Sequence, residues 1–195
     1  MQNTVTLAKC FSGPLSKMGD GNTAGPFQER DFGGPLSWQG LHLDGTLVPL
    51  RPGWALGAKA VATPSLRAAT MPFHHYTIIG RQSAAWVYTG LFPKSEATML
   101  YRMGGNVPPK NVKVRYHRVK IHTSQIIMIG GRATTTVQKT ALDCLLFGDR
   151  KEYALHIQGL QAHKLDLGQL RADVENYGRP TDQKRALRRL VLLGI

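Results

Sequence analysis

Between Gly131 and Phe147 the chain reads GRATTTVQKTALDCLLF, with one lysine and one aspartate, Lys139 and Asp143, set among apolar residues. Four residues apart on a helix, the two side chains lie one turn from each other and can pair. Thr135 with Gln138 three positions on has a capping-box pattern, so the threonines mark a helix start. Val137, Ala141, Cys144 and Leu145 then share one face at helical spacing, an ordinary core stripe. Lys139 and Asp143 fall on the opposite side, flanked by Leu146 and Phe147, which predicts a partly covered pair. Lysine ahead of the acid is the weaker order, worth at most a few tenths of a kcal/mol if exposed. A covered pair serves geometry more than stability. A catalytic role would need a second acid close in sequence, and Asp149 and Glu152 are the nearest. The pair therefore reads as a structural clamp.

Other chemistry finds little support. Metal-dependent nucleases and polymerase-like transferases gather two or three carboxylates around a divalent ion, and the acids here are scattered. His156 and His163 could share a helix face, and His74-His75 could form a polar surface pair. Neither is accompanied by H-E-x-x-H or a cysteine pair. No Walker loop, dinucleotide-binding glycine motif or nucleophile elbow occurs. Cys10 lies in the leader and Cys144 among helix leucines, which argues against a disulfide framework. The expectation is a non-enzymatic protein with no metal and no cofactor.

Charge is the informative quantity. The 195 residues carry 25 Lys and Arg against 12 Asp and Glu, a net +13. Residues 101–139 alone hold eight basic side chains and no acidic one, and no carboxylate occurs from Ala97 to Leu142. A solvated surface ordinarily mixes both signs, so this asymmetry points to a polyanionic partner. Within it, Val112, Val114 and Tyr116 alternate with Lys113, Arg115 and His117. That period of two predicts a half-buried strand with a basic outer face. Lys110, Arg118 and Lys120 extend the strip, and such a strip can track phosphates. Arg51, at a hairpin tip, could enter a minor groove, and Arg132, just ahead of the threonines, is counted with the DNA-contacting set. An RNA-binding role would need a stacking platform, and the strand face offers only Tyr116.

The elements that position these residues follow from local signals. Residues 12–35 are Gly- and Pro-rich, and 1–35 read as a flexible leader. Ser37 can cap a short helix to about Leu43, closed by Asp44-Gly45. Strands Leu47–Leu50 and Trp54–Leu56 follow, joined through Arg51-Pro52-Gly53, where Pro then Gly suits a type II turn. A short helix and a hairpin are also what the last helix and wing of a winged helix would leave. Thr63 with Pro64 opens another helix, and a buried helix from Ser83 ends at Gly90. Ile126–Ile129 predicts a strand closed by Gly130-Gly131. Helices follow near Glu152–Gln161 and Thr181–Leu193. The last carries Lys184, Arg185, Arg188 and Arg189 on one side, opposite Leu187, Leu190 and Val191. The fold class predicted is α+β. No apolar run approaches a membrane span, and no secretory signal is evident, so the chain is expected to be cytoplasmic and to have no membrane partner.

TTTVQKTALDCLL resembles the "V-T-S-P-x-R-T-L-x-D-L" signature of the AbiEi antitoxin family of abortive-infection type IV toxin–antitoxin systems. Thr135 and Thr136 fall on its Thr-Ser pair, Thr140 and Asp143 on its Thr and Asp, and Lys139 stands where the motif carries arginine. LDGTLVPLRPGWAL resembles the wing-like segment of that family, SAAWVYTGL its small-residue helix, and KVRYHRVKI its basic strand. These matches run in order from about Leu36 to Leu146, and the length resembles the short actinobacterial forms. Beside the leader at 1–35 that composition suggests, the resemblance implies a winged-helix remnant at 36–60 and an AbiEi-like α+β domain at 61–195. It further implies a transcriptional autoregulator that binds the double-stranded operator of its own operon and counters a nucleotidyltransferase-like toxin. The alternative is a protein-interaction module that binds an acidic partner or toxin without DNA specificity.

Overall fold

In the computed structural model, residues 26–111 and 113–195 are described. Residues 1–25 of the expected leader, Cys10 among them, and Val112 of the expected strand lie outside the described residues. The rest forms an α+β architecture with seven α-helices and two sheets among those residues.

The N-terminal unit begins earlier than its composition suggests. Phe27 bridges to Ala55 through backbone bonds of 2.8 and 3.0 Å, and a 3-10 turn follows at Glu29–Phe32. Phe27 and Phe32 are buried with Leu41, Leu47 and Ala55, so residues 26–35 belong to this small core and not to a leader. Two phenylalanines packed on the hairpin are enough apolar surface to hold an otherwise Gly-rich segment in place. Helix α1 (Pro35–Leu43) starts with Pro35 at its first turn behind Gly34, two residues ahead of the cap expected at Ser37. Strands β1 (Leu47–Arg51) and β2 (Trp54–Gly57) pair antiparallel. Between them Gly53 has φ +79°, the left-handed value that the third position of a type II turn requires.

The main sheet has the order β5-β4-β3-β7-β6, with β3 (Thr77–Ile79), β4 (Ala97–Arg102), β5 (Val114–Val119), β6 (Ile126–Ile129) and β7 (Arg132–Thr135). β4 runs parallel to β5 and β3 to β7, while the β3–β4 and β6–β7 pairs are antiparallel. Helix α2 (Pro64–Ala69) is capped by the Thr63 hydroxyl, and α3 (Arg81–Thr89) ends at Gly90, as the local sequence predicts. Both pack on one sheet face through Ala68, Ala84, Trp86 and Val87 against Ile79, Met99 and Val114. The Ser83 hydroxyl accepts the Thr98 amide at 2.8 Å, tying α3 to β4. The opposite face has a smaller cluster of Ile78, Leu100 and Ile121.

Helices α4 (Val137–Phe147), α5 (Tyr153–Gln161), α6 (Leu167–Glu175) and α7 (Pro180–Leu192) form a second layer, whose core joins Ala85 and Tyr88 of α3 to Leu145, Leu146, Ile157, Leu170 and Leu190. Since β3 and β7 are parallel neighbours, α3 and α4 start at the same end of the sheet. Gly80, at the β3–α3 junction, is a close approach: a Cβ there would lie 2.4 Å from side-chain carbons of the fully buried Leu100.

Candidate nucleic-acid interface and the clamp behind it

β5 is one of the two edge strands of the main sheet, and its register with β4 sets the faces. Arg115 sits beside Thr98 and His117 beside Leu100, while Val114 and Tyr116 turn toward the α2–α3 core. The alternation expected for 114–117 is thus present, although Lys113 precedes the strand. Lys110, Lys113, Arg115, Arg118 and Lys120 are all exposed. Arg115 pairs with Glu96 at 2.9 Å. Lys110, Lys113, Arg118 and Lys120 form no ion pair among the described residues. His117 is half-buried, and desolvation, Arg81 and Arg115 hold its pKa below the ordinary histidine value. At neutral pH it therefore adds a neutral ring to the strip and not a further cation.

Two residues expected in the interface are elsewhere. Arg51 is not at the hairpin tip. Pairing slips between Pro49 and Arg51, and the side chain turns inward to 8% exposure. Its guanidinium donates to the Thr70, Lys94 and Ser95 carbonyls at 3.3–3.4 Å and lies 5.7 Å from the Trp86 ring. It fastens the N-terminal hairpin to the main domain and cannot reach a groove. Arg132, on β7 and three strands from β5, donates to the Met71 carbonyl at 2.7 Å and lies 4.4 Å over the Phe73 ring. It too is a tie between segments.

At β7, three strands from the strip, the threonine motif locks α4 to the sheet. The helix cap is Thr136, whose hydroxyl accepts the Lys139 amide at 3.3 Å, while Thr135 ends strand β7. The cap thus lies one residue later than the capping-box pattern suggests. Thr135 and Thr140 hydroxyls are 2.7 Å apart, and the Tyr88 phenol donates to the Thr135 carbonyl at 2.9 Å. Lys139 meets Asp143 at 2.7 Å with side-chain exposures of 14% and 3%. The helix is buried on every side from Thr140 to Leu146, well beyond the single stripe its periodicity implies. Burial pushes the Asp143 carboxyl up, against the pull of Lys139 and Arg81.

Arg81 was not marked by any sequence motif. It opens α3 with φ +52°, a left-handed backbone that a non-glycine residue adopts only at a cost. Its guanidinium lies 4.3 Å over the Phe147 ring, in the field of Asp143, Tyr177 and Asp182. These partners come from α4, the α6–α7 loop and α7, so only the tertiary fold reveals them.

Other arginines serve the scaffold. Arg67 donates to the Val87 and Tyr88 carbonyls at 2.7 and 2.8 Å, closing the last turn of α3. Arg189 donates to the Cys144, Leu145 and Gly148 carbonyls at 2.9–3.1 Å, and Arg185 to that of Leu146 at 2.9 Å. They satisfy the orphan carbonyls at the negative end of α4, while Lys184 and Arg188, also on α7, are exposed.

His156 is buried with neither ring nitrogen hydrogen-bonded, edge-on to Phe92 at 5.4 Å, while His163 packs near Tyr88. Among the described residues, no three His, Cys, Asp or Glu side chains converge as a metal site would require. No helix among them is long and apolar enough to cross a membrane. No family model matches the chain, and no curated protein matches it.

Proposed function

We propose that this chain is a non-enzymatic, DNA-binding autoregulator and antitoxin of the AbiEi kind, which anchors on duplex DNA through the β5 edge. One observation carries the reading. Five exposed cations, Lys110, Lys113, Arg115, Arg118 and Lys120, fall within eleven residues, and Glu96 is the one carboxylate from Gly45 to Leu142. Phosphate contacts of this kind supply affinity and register, and base contacts supply sequence preference.

The N-terminal unit provides an element for the second task. A strand residue (Phe27), a short turn, helix α1 and a hairpin follow one another in the order of the later part of a winged helix. α1 carries no lysine or arginine, so it can present Gln39 and His42 to base edges only if other residues hold the backbone. The β5 strip supplies those cations. In this reading the Thr135–Thr140 and Tyr88–Thr135 bonds keep α4 and α3 in a fixed relation to the sheet, and the Lys139–Asp143 pair compensates a carboxylate buried within α4. The deciding experiment is a titration of the full chain against labelled duplex from upstream of its own gene, beside a scrambled duplex. Tighter binding to the upstream sequence supports the regulator; equal binding to both contradicts it.

A second reading rests on α1 itself. Leu36 and Leu43 are 84% and 90% exposed on a helix without cations, a surface suited to a protein partner such as the toxin. Saturable binding to the cognate toxin, lost in Leu36→Glu and Leu43→Glu while duplex binding persists, would favour that role for α1.

A further inference from the structure

The sheet face turned away from α2 and α3 is covered near its centre by Ile121 and open beside it. There an open cavity of about 490 Å³ is lined by His75, Tyr76, Ile78, Arg102, Ile127 and Met128, with further polar groups from the loops. Tyr76 is 56% exposed, Met128 64% and Ile127 48%, so their apolar surfaces have no cover in the fold. Phe73, His75 and Tyr76 follow one another as a series of ring contacts, at 4.9 and 6.5 Å between centroids. Among the described residues, no carboxylate lines the cavity.

We infer that this cavity seats an unpaired nucleobase of a single-stranded nucleic acid, whose backbone runs toward the β5 cations. The chemistry fits on three counts. A base offers a flat apolar face to an exposed tyrosine and a polarizable methionine, and base–aromatic stacking accepts every base. The volume lies within the range of small-ligand sites and admits a base with its sugar. The charge is complementary to phosphates: Arg102, hydrogen-bonded among the described residues to the Thr123 hydroxyl at 3.2 Å, stands at the rim, and Arg115, which also pairs with Glu96, shares the same sheet face by register. From β3, which follows Tyr76, to β5 is two strand spacings, about 10 Å, so a seated base leaves its backbone within reach of that edge. An apolar peptide would match the ring surface but would gain nothing from a carboxylate-free, cationic surround.

This inference does not depend on duplex recognition, because paired bases stay stacked in a duplex and have no face to offer. The test is fluorescence anisotropy of the full chain with end-labelled fifteen-nucleotide oligothymidylate, oligouridylate and an abasic chain of the same length and charge. The base-bearing chains are expected to bind about tenfold tighter than the abasic one. That gap should survive a rise in salt, vanish in Tyr76→Ala and persist in Tyr76→Phe. A preference for oligouridylate would assign the seat to RNA, and equal or reversed affinities to unpaired DNA. Equal binding of abasic and base-bearing chains, or a gap unchanged in Tyr76→Ala, would overturn the inference and leave the groove to an apolar partner. Duplex binding unaffected by Tyr76→Ala would separate this site from the operator-binding surface.

Discussion

Asp143 meets Lys139 at 2.7 Å inside a helix with no solvent face from Thr140 to Leu146, and the Arg81 guanidinium contributes a second positive field to the same carboxylate. The pair answers to burial: a lone carboxylate there would have no counter-charge within its helix. Removing one partner is therefore worse than removing both.

Lys139→Met is expected to destabilise the fold by about 3 kcal/mol, because it leaves Asp143 buried and uncompensated. The double change Lys139→Met with Asp143→Leu should recover most of that loss. Denaturant unfolding of the three proteins measures it. Equal destabilisation of the single and double variants would show that the pair is not a unit.

His156 sets an acid limit on stability. Burial holds its pKa below the ordinary value, so the folded protein keeps the ring neutral while the unfolded chain takes up a proton near pH 6.5. Stability is then full above that pH and falls as pH drops toward the depressed folded value. His156→Leu should flatten the melting temperature between about pH 7 and 5. An unchanged acid slope in that variant would place the proton uptake elsewhere.

Tyr88 sets the alkaline limit with the opposite sign. Its phenol is pushed up to about 12 by burial, against about 10 in an unfolded chain. Stability is present below pH 10 and is lost as pH rises toward 12. Tyr88→Phe should lessen that loss, while costing about 1 kcal/mol at neutral pH through the bond to Thr135. A pH titration of unfolding above 9, followed by circular dichroism, checks both parts.

Arg51 and Arg118 separate structural from surface cations. Arg51→Ala should lower the melting temperature by several degrees, since it opens a buried contact among three carbonyls and Trp86. It should leave duplex affinity unchanged. Arg118→Ala should do the reverse. Thermal melts and binding isotherms on the two variants decide it, and an affinity loss in Arg51→Ala at unchanged stability would return that residue to the interface.

The parts of the fold legible in the sequence are those set by local chemistry: the Thr63-Pro64 helix start, the Pro52-Gly53 turn, the Gly90 stop and the period-two strand around Arg115. β3 and β4 left no alternation to read, because their central residues are buried on both faces. β7 was hidden by its threonines, which serve a strand as readily as a helix start. α6 likewise lay unmarked between α5 and α7. In the candidate site, sequence spacing places the lysines and Arg118 at an exposed edge. It could not foresee that Arg51 and Arg132 turn inward, because their acceptors lie 19 to 61 residues away. Arg81 was missed for the same reason, its partners lying on three distant elements.

The most direct test of the DNA-binding account is the salt dependence of affinity for the upstream duplex, for the wild-type chain and for Lys113→Ala with Arg118→Ala. Five phosphate contacts predict a log–log slope of about −4.5, a loss of about 500-fold between 50 and 200 mM salt. The double variant should be shallower by about two units. A wild-type slope near zero, or the same slope in both proteins, would contradict the β5 edge as the phosphate-binding surface.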